Sequence, residues 1–290
     1  MTTIGVVGLG AMGGRIAGRL LAQGYDVHGT NRTKAKANPL IAQGLVWFDT
    51  PRAVAEGSTV VISMVTDDDA LVAVTEGADG ILAGLSPGTV YVDMSTVSPQ
   101  ASRTVAEHVA TYGAAMLSAP VSGSLPAVEE GSLAIIAGGD ADAFASVEPV
   151  LRDLGKSVTL VGDVGHALLL KLAINISLAV QMLAFSEGVL LAERGGVDRT
   201  VALEVMTSSA IGSPMLQARA ELLRELPDDA WFDVVKMQKD IRLALESGRA
   251  EGLILPSATV ADEMLSVARG AGHQHRDIAV LFHTLADLAE

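Results

Sequence analysis

A chain of 290 residues that is 49% hydrophobic but 3% aromatic, with 30 glycines, has the size of one large or two ordinary domains. Its composition is that of a packed α/β protein, which excludes a disordered chain. The absence of cysteine excludes disulfides, thiolate metal sites and cysteine nucleophiles, and a formal net charge of −14 argues against nucleic acid and anionic membrane as partners.

Met1-Thr2-Thr3 runs straight into a strand-like IGVVG with no basic leader, so no signal peptide is expected and a cytoplasmic location is. From Thr3 to about Gly162 short apolar runs alternate with helical segments. The runs are TIGVVG, YDVHGT, TVVISMV, TVYVDMS, AAMLSA, LAIIAGG and SVTLVG, each strand-sized and bounded by Gly, Pro, Ser or Asp. Gly13–Gln23, Pro99–Tyr112 and Ala141–Leu154 read as amphipathic helices between them. That alternation predicts a mostly parallel sheet covered on both faces.

The first run leads into Gly8-Leu9-Gly10-Ala11-Met12-Gly13, the strand–turn–helix context of a dinucleotide fingerprint. Gly8 permits the tight turn, Gly10 the approach of a pyrophosphate, and Gly13 close helix–strand packing, with the phosphates on free N–H groups of the helix. The second run ends at Asn31-Arg32-Thr33, where an NAD-binding chain usually carries a carboxylate for the ribose 2′-hydroxyl. Arg32 can instead bind a 2′-phosphate and stack on adenine, with Thr33 adding a hydroxyl, so NADP(H) is expected over NAD(H).

After Gly165 the pattern turns helical: His166–Arg194, Arg199–Ser209, Met215–Leu226, Val234–Ser247, Pro256–Gly270 and His275–Ala289, with a GLILP turn at 252–256. The expected architecture is thus an α/β Rossmann-type domain over 1–163 and an all-α domain over 164–290, joined by a long interdomain helix. That helix carries ALLLKLAINISLAVQMLAF at 167–185. Its length would span a bilayer, but Lys171, Asn175, Ser177 and Gln181 are scattered along it, which favours a buried or subunit-interface helix. A helix so apolar is expected to pack in part on a second subunit, giving a homodimer or homotetramer. Lys171 needs a reason there: burying an ammonium is costly, and desolvation lowers a lysine pKa toward the range useful for proton transfer. Asn175, four residues on, shares its helix face. A lysine that snorkels to water is the plain alternative.

These motifs, with DMST at 93–96, APVSG at 119–123 and Lys239-Asp240, make the chain resemble the β-hydroxyacid dehydrogenases. That group holds the 3-hydroxyisobutyrate dehydrogenases, tartronate semialdehyde reductases and glyoxylate/succinic semialdehyde reductases. The likeness spans essentially the full length. It implies an NADP-dependent oxidoreductase acting on a small β-hydroxyacid or its semialdehyde, with a C-terminal domain like that of 6-phosphogluconate dehydrogenase. By resemblance Lys171 exchanges the proton of the substrate hydroxyl or carbonyl, and Asn175 bonds substrate from the same face. Ser122, Gly123 and Ser124 lie in the loop that grips the carboxylate, with Ser122 close to the chemistry. Val65, Thr66 and Thr96 line the nicotinamide half of the cofactor, and Lys239 sits near cofactor and substrate with Asp240 beside it. Read alone, Ser122 is a turn serine, Thr96 a helix cap, and Lys239-Asp240 an exposed charge pair.

The chain departs from the family at Ser118, where Asp is common; at Ser124 and Pro126, where glycine is frequent; and at Ile174, where a second asparagine is frequent. Ser124, Pro126 and Ile174 are expected to stiffen the pocket or make it more apolar. His273 and His275 lie in a glycine-rich turn without a ligand cluster, so no metal is expected. The same architecture also occurs in imine reductases, which typically replace the lysine, and a non-catalytic nucleotide-binding module is the remaining alternative.

Overall fold

The structure is a computed structural model that describes residues 2–288, so Met1, Ala289 and Glu290, at the ends of the expected domains and of the last expected helix, lie outside the described residues. The chain divides into two compact units, Met1–Lys171 and Leu172–Glu290.

The first unit runs β1 (Thr3–Val7), α1 (Ala11–Ala22), β2 (Asp26–Thr30), α2 (Asn38–Ala42), β3 (Val46–Trp47), α3 (Pro51–Glu56), β4 (Val60–Ser63), α4 (Asp68–Thr75) and α5 (Ile81–Gly84). It continues through β5 (Val90–Asp93), α6 (Pro99–Thr111), β6 (Ala115–Ser118), β7 (Val121–Ser122), α7 (Leu125–Glu129), β8 (Leu133–Gly139), α8 (Ala141–Leu154) and β9 (Gly155–Leu160). Strands pair in the order β3-β2-β1-β4-β5-β6-β8-β7, with β9 on the other edge of β8. The first six are parallel, which gives the expected Rossmann-type sheet.

Alternation along each strand explains the two layers of core. Val6, Ile62, Val92 and Leu117 face α1 and α8, packing with Ile16, Leu20, Val147 and Leu151. Val7, Val61, Tyr91 and Met116 point the other way, toward Val54 of α3 and Val105 and Val109 of α6. Helix starts follow local chemistry: Thr50 accepts from Ala53 N, and Ser98 from Ala101 N, each ahead of a proline that presets the first turn.

All seven predicted strands form, and Ala141–Leu154 is helical as expected. Two pairings go beyond the pattern. β8 runs antiparallel to β6 and β7, and these two make one strand broken at Ala119-Pro120, whose Pro120 carbonyl still accepts from Ile136 N. The two-residue β3 is too short to leave a periodic signal.

The second unit is all-helical. α9 (Val164–Arg194) carries the chain into it, followed by α10 (Arg199–Ser208), α11 (Pro214–Arg219), α12 (Val234–Ala250), α13 (Pro256–Gly270) and α14 (Leu281–Leu288). Met182, Phe185 and Val189 of α9 pack with Leu216, Met237, Ile241, Leu265 and Phe282 in its core. Among the described residues α9 is the one helix long and apolar enough to cross a bilayer, by length and composition alone.

The helix expected over 215–226 tightens into a 3₁₀ turn at Ala220–Leu223, and that expected from His275 begins as a 3₁₀ turn at Ile278–Val280. Asp277 accounts for the second difference. It accepts from Ala279 N and Phe232 N, pairs with Arg219 at 3.5 Å, and forms an isolated antiparallel bridge with Asp233, so helix starts only after it.

Candidate active site

The sheet order reverses between β1 and β4, and in open parallel sheets a ligand crevice lies at such a point, beyond the carboxyl ends of the strands. The Gly8–Gly13 turn sits there. Gly8 has φ +95°, and a Cβ on it would meet the Met64 carbonyl at 2.4 Å. A Cβ on Gly13 would lie 2.0 Å from the Gly8 carbonyl, so α1 can start this close to β1 only with glycine. Gly10 differs: it is exposed, and a Cβ there meets no atom of the protein within 4 Å. Among the described residues no side chain caps α1. Its first N–H groups, around Ala11 and Met12, therefore present the positive end of a helix to the crevice. Leu9 is buried under the turn.

At the end of β2, Asn31 braces this turn. Its Oδ1 accepts from Leu9 N at 3.1 Å and its Nδ2 donates to the Thr33 carbonyl at 3.0 Å. Arg32 and Thr33 are exposed beside it, and Lys34 lies over the Trp47 ring, 5.1 Å from its centroid. An acidic protein thus gathers Arg32, Lys34 and Lys36 at one corner of its sheet.

The loops after β4 and β5 carry Val65, Thr66 and Thr96, with Thr66 exposed and the other two half-buried. Beneath them lies a polar layer that pattern-reading missed. Ser63 and Ser95 each donate to Asp93 Oδ1 at 2.6 Å, Tyr91 OH meets Ser63 Oγ at 2.7 Å, and Val65 N donates to Ser95 Oγ at 2.9 Å. All four side chains are fully buried. Burial, and then the Asp93 charge, pushes the Tyr91 phenol well above the ordinary tyrosine range. The available signal was that the apolar runs VVIS, VYVD and AMLS each end on a polar residue.

Ser118, the third of these, is directed to Ser102 of α6, with Oγ–Oγ 2.5 Å, and is fully buried. Its departure from Asp therefore alters the sheet's interior. Ser122 ends β7 half-buried, and the exposed Gly123 that follows has φ +149°, with Leu133 Cδ2 2.8 Å from where a Cβ would stand. Ser124 occupies the N-cap position of α7, and Pro126 lies in its first turn.

Lys171 is 9% exposed on α9, and Asn175 lies one helical turn further on, 1% exposed. In the second unit Asn175 Nδ2 donates to Asp240 Oδ2 at 2.5 Å. Lys239 Nζ lies 2.8 Å from Asp240 Oδ1, an ion pair rather than an aligned hydrogen bond. Asp240 is only 2% exposed, so α12 directs it toward α9 instead of into water as a lone surface pair. The second unit thus joins Asn175, Lys239 and Asp240. The first unit joins the glycine turn, Asn31–Thr33, Val65–Thr66 and Thr96 along the carboxyl ends of β1, β2, β4 and β5. These donors fit a dinucleotide: a turn with room at Gly10, an uncapped helix start and an exposed arginine at the end of β2. Among the described residues no group of three or more His, Asp or Glu could hold a metal ion.

Residues 3–162 match the family described as the NAD binding domain of 6-phosphogluconate dehydrogenase. Residues 165–285 match that described as NAD-binding of NADP-dependent 3-hydroxyisobutyrate dehydrogenase. The chain is 33% identical over 283 residues to glyoxylate/succinic semialdehyde reductase 2, chloroplastic, of Arabidopsis thaliana, covering 98% of this chain and 79% of that one. The solved structure of Psf3 in complex with NADP+ and 2-OPP is similar at TM-score 0.89 and 27% identity, covering 97% of this chain and 99% of that one. So is Mycobacterium tuberculosis 3-hydroxyisobutyrate dehydrogenase with L-serine, at TM-score 0.88 and 26% identity, covering 98% and 99%.

Proposed function

Because the chain belongs to the β-hydroxyacid dehydrogenase family, nicotinamide-dependent oxidoreductases acting on hydroxyl groups, we propose that it passes hydride between NADP(H) and a small β-hydroxyacid or its semialdehyde. The observation that carries this reading is Lys171, a buried ammonium on an apolar helix one turn before an asparagine anchored on a buried carboxylate. A lysine kept from water is a fit general acid for a carbonyl oxygen and a fit base for a hydroxyl.

When bound, the dinucleotide supplies or accepts the hydride. Gly8–Gly13 and the start of α1 hold its pyrophosphate, and Val65, Thr66 and Thr96 line its nicotinamide half. Arg32 and Thr33 hold the 2′-phosphate, which supports NADP(H) over NAD(H); the NADP+ named for the similar Psf3 complex agrees with this. The Ser122 hydroxyl and the Gly123 N–H hold the substrate carboxylate, with Ser124 behind them. Lys171 gives its proton to the carbonyl oxygen in reduction and takes the hydroxyl proton in oxidation. Asn175 bonds substrate from the same helix face, while Asp240 fixes the Asn175 amide and the Lys239 ammonium in place. We also propose self-association as a homodimer or homotetramer, supported by the apolar α9, and a cytoplasmic location.

The test is NADPH oxidation with glyoxylate, succinic semialdehyde and a cyclic imine, NADP+ reduction with 3-hydroxyisobutyrate, and the same panel with NADH. Lys171→Met should abolish turnover of the acids while NADPH still binds. Activity on the imine alone, or most of kcat surviving in the variant, would overturn the assignment.

A further inference from the structure

We propose that Ser95 is a positioning residue: its hydroxyl, held by the buried Asp93 carboxylate, clasps the loop after β4 to the loop after β5 and presets the surface for the nicotinamide half of the cofactor. This rests on the dinucleotide reading above and adds to it residues that touch no ligand.

The direction of each hydrogen bond follows from proton counting. Ser95 has one hydroxyl proton, and it points at Asp93 Oδ1, 2.6 Å away, beside a second bond to that oxygen from Ser95 N at 3.2 Å. The Ser95 oxygen is therefore left as an acceptor, and it takes Val65 N–H at 2.9 Å. Ser63 likewise spends its proton on Asp93 Oδ1, so Tyr91 OH is the donor in the 2.7 Å contact between them. The raised proton affinity of the Tyr91 phenol agrees, since it stays protonated. The Ser63 and Ser95 hydroxyls thus converge on one carboxylate oxygen, and Ser95 leads from it to a loop backbone.

A second tie closes the pair of loops. Ser98 N donates to Asp68 Oδ1 at 2.8 Å, so residues 65–68 and 95–98 are joined at both ends of the stretch that holds Thr66 and Thr96. Packing alone does not require this arrangement. Apolar side chains would fill the ends of β4 and β5 without the desolvation of a carboxylate, but they would leave Val65 N–H without its acceptor. Since Ser95 is fully buried, it acts on a ligand through the Val65 backbone it holds.

The experiment compares NADPH with adenosine 2′,5′-bisphosphate, which carries the adenosine half alone, by fluorescence titration and calorimetry on the full chain. Ser95→Ala should weaken NADPH about tenfold, or about 1.4 kcal/mol, and leave the bisphosphate within about twofold. Ser63→Ala removes the other hydroxyl on Asp93 without touching Val65, so it should lower Tm yet leave both affinities unchanged. Asp68→Ala breaks the second tie from a less buried position and should also weaken NADPH selectively, which keeps the proposal open to test if Ser95→Ala does not fold. Unchanged NADPH affinity in Ser95→Ala, or in Asp68→Ala should Ser95→Ala not fold, overturns the clasp alone, as does equal loss of both ligands. Wild-type protein that binds neither NADPH nor NADH overturns the cofactor reading, and the clasp with it.

Discussion

Replacing Gly10 by alanine is expected to cost dinucleotide affinity without costing the fold, whereas the same methyl at Gly13 is expected to cost the fold. At Gly10 the backbone has φ −77° and ψ −161°, open to alanine, and the new Cβ meets no protein atom within 4 Å. Glycine is the better N-cap by roughly 0.5–1 kcal/mol, but alanine recovers about 0.4–1 kcal/mol through the unfolded chain, so the net change is near zero. The methyl would stand where a pyrophosphate must approach the helix start. Losing one charge-assisted hydrogen bond there, worth about 1.5–3 kcal/mol, weakens NADPH roughly 10- to 150-fold. At Gly13 the new Cβ starts 2.0 Å from the Gly8 carbonyl, so α1 or the turn must retreat by about 1 Å against a packed core. Overpacking of that kind costs about 1–3 kcal/mol, or roughly 2–12 °C in Tm for a chain of this size. The assay is thermal unfolding beside NADPH titration of both variants. Gly10→Ala binding NADPH as wild type does, or losing as much Tm as Gly13→Ala, would refute these roles for the two glycines.

Three further outcomes follow from the geometry. Arg32→Ala should raise KM for NADPH roughly 10- to 100-fold and leave NADH within about twofold; equal losses would remove Arg32 from the 2′-phosphate site. Asn175→Asp sets a second carboxyl against Asp240 at the present 2.5 Å contact, where both cannot ionise. The proton then bound raises a folded-state pKa above its unfolded value, so this variant should lose stability relative to wild type as pH rises from 5 to 8; parallel melting curves would contradict it. Burial, followed by the 2.7 Å bond to Asp153 and its charge, pushes the Tyr25 phenol up to about 12 from 10.0. A raised folded pKa gives stability that is complete below pH 10 and lost as pH rises toward 12. Urea unfolding of Tyr25→Phe should therefore converge on wild type across that window, and a constant gap would rule out the linkage.

Much of the site was visible because its signals are local. A strand followed by Gly8-Leu9-Gly10-Ala11-Met12-Gly13 is one continuous piece of chain, and so is the Asn31-Arg32-Thr33 corner. Lys171 stood out because a charge in an apolar helix violates that helix's own pattern, and Asn175 followed at one turn. The layer of Ser63, Tyr91, Asp93 and Ser95 was not visible, since Ser63 comes from β4 and the other three from β5 and the loop after it. Their adjacency is set by the pairing register of β4 and β5, in which Ser63 lies against Asp93. The same register brings Ser118 against Asp93 on the next strand, though its hydroxyl then turns to α6.

The amino-acid order by itself determined the alternating α/β half, the helical half, the glycine turn and the anomalous lysine, because periodicity and backbone permissiveness act over a few residues. Tertiary structure alone decided that Ser63, Tyr91, Asp93 and Ser95 form one polar layer. It also decided that Asn31 braces the turn, and that Asp240 is a buried anchor for Asn175 and Lys239 where a charge pair on an amphipathic helix would ordinarily be solvated. The physical reason is desolvation. Whether a polar group costs or contributes depends on the partners that remote segments bring to it, and those partners are fixed only once strands register and helices pack.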